Sequence, residues 1–122
     1  MTPADALLAE AVELRARAEA AEAEARRLQA QEREDAIVGA LVLYDGELWT
    51  RAKALAVDLN SYAANGWRRE FALDELPDST PQKRRAWHRI LLSRGGDTIG
   101  DRQMFNIAKL KSGALAISTG DM

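Results

Sequence analysis

Cysteine is absent from this 122-residue chain. Disulfides and thiolate metal ligands are thereby excluded. There is one histidine, His88, so a histidine-rich metal site or a triad built on histidine lacks its parts. With Arg84, Arg85 and Arg89 around it, His88 reads as an ordinary surface or boundary residue. The three prolines and eight glycines are few and fall at apparent element boundaries. The longest apolar run, Ala36 to Tyr44, is nine residues and contains a glycine. A membrane span needs about 20. The opening MTPADALLAEAVE is acidic where a secretory leader would be basic. No Gly-Lys-Ser/Thr phosphate loop follows a strand pattern, and the glycine-rich stretch GGDTIG follows a helical one. These absences set the expectations: a soluble, cytoplasmic protein without a membrane segment, without a metal or cofactor, and without catalytic residues.

What is present is helix-forming residues and unevenly distributed charge. Ala, Glu, Arg and Leu dominate the first half, and these favour helix. The net charge is −2. Residues 1–39 hold nine acids against five Lys/Arg, and residues 40–82 hold seven against four. Residues 83–122 reverse this, with three acids against eight Lys/Arg. A basic C-terminal end therefore hides within an acidic chain.

Thr2-Pro3-Ala4-Asp5 has the composition of a helix start, with Thr2 as N-cap and Pro3 in the first position. No breaker follows until Gly39. Leu7, Ala11, Leu14, Ala18, Ala21, Ala25 and Leu28 recur at spacings of four and three. That is a heptad seam of about three repeats, and it predicts a coiled-coil-like arm for oligomerisation. A lone solvated helix is the competing reading, supported by pairs such as Glu13–Arg17 and Glu22–Arg26. The apolar stretch from Ala36 reads as the buried end of the same helix, and Asp45-Gly46 as its break, with Asp45 capping the next helix. A second helix is expected from about Glu47 to Ala64, with Leu48, Ala52, Leu55, Leu59 and Tyr62 on one face. Gly66 is expected to end it in the left-handed conformation. Leu73, Leu76 and Pro77 read as cover for the core edge. A third helix starts at Ser79-Thr80-Pro81-Gln82, buries Trp87, Ile90 and Leu91, and stops at Gly95-Gly96. A fourth, capped by Asp97 or Thr98, buries Met104, Phe105, Ile107 and Ala108 and ends at Ser112-Gly113. Leu115 and Ile117 are placed on the core or in a frayed tail.

The fold class expected is all-α: a long N-terminal coiled-coil-like helix followed by a small bundle of three shorter helices. The divisions are an arm at 1–35, a compact helical domain at 36–113 and a tail at 114–122.

Two surfaces stand out as functional candidates. The stretch from Asp78 to Gly113 pairs two short basic helices. Its candidate nucleic-acid contacts are Arg84, Arg85 and Arg89 on the first helix, and Arg102, Gln103, Asn106 and Lys109 on the second. Arg, Gln, Asn and Lys on one short helix are the side chains that read base edges, while arginines and helix starts hold phosphate. The connection is longer than the three or four residues of a tight helix-turn-helix. Of three tryptophans, Trp67, beside Arg68 and Arg69, reads as the one most available to a partner. The leading expectation is a non-enzymatic, oligomeric nucleic-acid-associated protein with DNA as partner. The alternative is a protein–protein adaptor or assembly component that binds through its long N-terminal helix.

Overall fold

The computed structural model describes the backbone of residues 2–119 and the side chains of residues 2–112. It is all-α. Helix α1 spans Pro3–Leu41, α2 Leu48–Ala64, α3 Trp67–Glu70, α4 Gln82–Ser93 and α5 Asp101–Thr119. The chain divides into two compact units, residues 1–31 and 32–122.

In the first unit, α1 begins with a reciprocal cap. The Thr2 hydroxyl accepts from the Asp5 amide at 3.2 Å, and the Asp5 carboxylate accepts from the Thr2 amide at 3.2 Å. Two donors left over at the helix start are thereby satisfied. The Thr2 hydroxyl also donates to the Asp5 carboxylate at 2.7 Å, and this bond first, then that from the Thr2 amide, holds the Asp5 carboxyl below its ordinary value. Every described side chain through Gln29 is exposed. The Glu13–Arg17 pair forms at 2.7 Å. Glu24 pairs with Arg27 at 2.6 Å, where the expected partnership was Glu22–Arg26.

In the second unit, one core gathers Ala36, Ile37, Ala40 and Leu41 of α1 with Ala52, Leu55 and Leu59 of α2, Ile90 and Leu91 of α4, and Met104 and Ala108 of α5. Each fully buried Ile or Leu contributes roughly 1.5–3 kcal/mol of transfer free energy. Ala36–Leu41 is helical despite its β-branched residues, because the helix buries Ala36, Ile37, Ala40 and Leu41 in this core. Helix α2 is the hub: it packs on α5, α3 and α4.

Several boundaries differ from expectation. Asp45 does not cap α2; Glu47 precedes Leu48 without a side-chain cap, and Gly46 turns the chain at φ +99°. Trp67–Glu70 is a single helical turn, an element to which the sequence pattern assigned no structure. Gly66 is right-handed, with φ −65°. Its glycine identity is required by space instead: a Cβ there would lie 2.7 Å from the Tyr62 ring and 2.9 Å from Arg84 Nη2. Leu76 is buried as expected, whereas Leu73 and Pro77 are exposed. Pro81 occupies the cap position of α4, and no side chain caps it.

The end of α4 follows expectation. The Gly96 amide bonds Leu91 O at 2.8 Å and the Gly95 amide bonds Leu92 O at 3.5 Å, with both glycines at positive φ. This pair of bonds satisfies carbonyls that the helix end leaves open. The connection to α5 is anchored by Ile99, 3% exposed. Neither Asp97 nor Thr98 starts α5, which begins at Asp101, with the Met104 amide bonded to Gly100 O at 3.0 Å. Nor does α5 stop at Gly113. One glycine inside a helix costs only about 1 kcal/mol, and ALAIS beyond it favours helix. The placement expected for Leu115 and Ile117 lies outside the described side chains.

Candidate nucleic-acid interface

The arginines of α4 are largely committed to the protein. Arg84 donates from Nη2 at 2.7 Å and from Nε at 3.1 Å to Glu70 Oε1. Its guanidinium also lies 5.5 Å from the Tyr62 ring centroid. Tyr62 donates its hydroxyl to the same carboxylate oxygen at 3.1 Å. Burial works to raise the Glu70 pKa, and the bonds from Arg84 and Tyr62 outweigh it, so the carboxyl sits below its ordinary value. Burial and the Glu70 bond push the Tyr62 phenol upward. The nearby Tyr44 phenol is raised by burial and by its 2.6 Å bond to Asp58, and it accepts from Trp87 Nε1 at 2.9 Å. Both phenols are thus neutral donors that lock helices together.

Arg85 and Arg89 share one face, as their spacing requires. They line a cleft of about 380 Å³ with His88, Glu32, Asp74, Glu75 and Asp78. Arg85 Nη1 is 3.8 Å from Asp78 Oδ1. Four carboxylates around two guanidiniums leave this cleft unfavourable for phosphate. His88 is not at the surface. It is 2% exposed, with Nε2 3.1 Å from Glu70 O and its ring 5.5 Å from that of Trp67. The α3 turn, unseen as a helix in the sequence, supplies both neighbours. Trp67 is correspondingly half-buried, packed on His88 and Phe71 and closely against Gly96. The expectation that it is the available tryptophan is corrected: Trp49 is the exposed one, at 39%.

The α5 residues stand differently. Arg102, Gln103, Asn106 and Lys109 are all exposed, at spacings that put them on one side of the helix, while Met104 and Ala108 face the core. Half-buried Phe105 meets Trp49 of α2 edge-on, with centroids 5.4 Å apart and planes at 90°. Lys109 Nζ lies 5.4 Å from the Phe105 ring and Lys53 Nζ 5.8 Å from the Trp49 ring. Lys111 points elsewhere, to Glu34 at 3.4 Å and Asp35 at 3.3 Å. Burial lowers its pKa, but these two carboxylates raise it further. The structure thus joins the α5 candidates to Lys53 and Trp49, which the sequence reading passed over. The i,i+4 spacing of Trp49 and Lys53 was the available signal.

The seam residues of the first unit, Leu7, Ala11, Leu14, Ala18, Ala21, Ala25 and Leu28, are all exposed, Leu7 at 67%, Leu14 at 55% and Leu28 at 51%. Among the described residues, no group of three His, Cys, Asp or Glu is placed to hold a metal ion. None of their helices is long and apolar enough to cross a membrane.

Fold and surface together define a small all-α protein with a basic, aromatic face on its α2–α5 pair. Comparison with protein-family models, with curated proteins and with solved structures gives no match in any of the three.

Proposed function

We propose that this is a non-enzymatic nucleic-acid-associated protein that contacts phosphate through the exposed face of α5. The observation that carries this reading is the grouping of Arg102, Asn106 and Lys109 on one side of α5, with Lys53 of α2 beside them through the Trp49–Phe105 contact. Arg102 and Lys109 are suited to phosphate, and Gln103 and Asn106 to base edges or sugar. The cleft arginines Arg85 and Arg89 have a lesser part, because their carboxylate neighbours oppose an incoming anion.

Anisotropy titration of labelled DNA over a salt series tests this. The logarithm of affinity should fall linearly with the logarithm of salt, by about 0.9 per phosphate contact. R102A and K109A should each lower that slope by about one. R85A and R89A should change it less. A protein that binds no nucleic acid at low salt would defeat the reading.

A second reading is favoured by the seam of α1: helix association, making the protein an assembly component. An exposed stripe of Leu7, Leu14 and Leu28 with alanines between suits close helix packing. Light scattering should then give more than one chain per particle, falling to one after removal of residues 1–31. An unchanged mass after that removal would count against the seam.

A further inference from the structure

The Trp49–Phe105 contact suggests which form of nucleic acid this face takes, an inference that rests on the nucleic-acid reading above. We propose that Trp49 and Phe105, with Lys53 and Lys109, form a stacking platform for unpaired bases, so that the preferred partner is a single strand. Each helix contributes the same unit, an aromatic ring followed four residues later by a lysine: Trp49 and Lys53 on α2, Phe105 and Lys109 on α5. The two rings touch edge to face, and each ammonium lies within 6 Å of its own ring. The edge-to-face contact holds Trp49 in place before any ligand arrives. Its exposed surface is therefore ordered at little further entropic cost.

Charge complementarity names the occupant. Each ammonium lies over its own ring, so a cation stands at each aromatic surface where a strand alternating bases and phosphates would meet it. A duplex keeps its bases stacked inside and presents only phosphate, so it gains from the lysines but not from the rings. An unpaired base offers a free π-face to Trp49 while its phosphates draw Lys53 and Lys109 off the rings. Stacking is tolerant of base identity, so little sequence preference is expected.

The full-length protein is titrated with oligo-dT and with a duplex of equal length over a salt series that starts low. The single strand should bind more tightly and quench tryptophan emission. W49A should weaken single-strand binding roughly tenfold or more while leaving the salt slope unchanged. W49F should keep most of the affinity but lose the quench, which guards against a W49A variant that fails to fold. K53A and K109A should lower the slope. If the duplex binds as well as oligo-dT and W49A is without effect while K109A still weakens binding, the platform is overturned and phosphate association stands. If neither form binds, both readings fall. If W49A changes the mass of the free protein by light scattering, the ring pair is an interface between copies and the proposal falls.

Discussion

At the scale of single residues, Glu70 connects more partners than any other polar group described above. Its side chain takes Arg84 and Tyr62, and its carbonyl takes His88. E70A leaves a guanidinium and a half-buried phenol without their acceptor. The expected cost is about 1–2 kcal/mol in a urea melt, moderated by the partial exposure of Arg84. The pH dependence follows from its lowered pKa. As pH falls, the unfolded carboxyl takes up its proton first. The stabilisation is therefore complete above the ordinary carboxylate range and is lost as pH drops through the folded value. Between about pH 7 and pH 3 the natural protein should lose more stability than E70Q, which has no carboxylate to protonate. Equal losses would place the acid sensitivity elsewhere. Gly66 makes the complementary point about space. G66A drives a methyl into Tyr62, which is buried, and into Arg84. A loss of about 1–3 kcal/mol is expected, read as a lower melting temperature.

At the scale of elements, α1 has two unlike parts. Ile37 is wholly buried, and I37A should cost about 2–5 kcal/mol. Through Gln29, by contrast, each described side chain of α1 is exposed. Removing residues 1–31 should therefore leave the melting transition of the remainder close to that of the full chain, as followed by circular dichroism. A large drop would show that the first unit supports the second. The helix boundaries show which local signals prevail. The Thr2–Asp5 cap and the Gly95-Gly96 stop are chemistry of the chain itself, and both form where they were expected. Asp45, Thr80 and Thr98 have the right type for caps, yet none of them caps a helix. The helix starts there are set by how the neighbouring segments seat on the core: Ile99, just before α5, is drawn into it. The α3 turn was missed because four residues are too few for a periodic pattern to register.

At the scale of the whole molecule, charge segregation is the property with functional weight. The acidic net charge should keep non-specific anion binding low, while the eight Lys/Arg after residue 82 bias one end of the chain toward anions. The fold then divides that end. Arg84 joins Glu70, Lys111 joins Glu34 and Asp35, Arg85 and Arg89 face the cleft acids, Lys83 lies over the Tyr44 ring and Arg94 is half-buried; Arg102 and Lys109 are exposed on α5, the helix whose Phe105 meets Trp49. The sequence by itself determined the all-α class, the long first helix, the apolar faces of α2 and α4, and the inward residues of α5, because helical periodicity and breakers act over a few residues. Only the tertiary structure decided which charged and aromatic side chains are spent inside the protein and which remain outside. His88 went in because α3 sets the Glu70 carbonyl and the Trp67 ring against it, and Trp67 is half-buried by the same contact. Trp49 stayed 39% exposed, in a T-shaped contact with half-buried Phe105. Partners as far apart in the chain as Trp49 and Phe105 are joined by packing, and no local rule of spacing can foresee it.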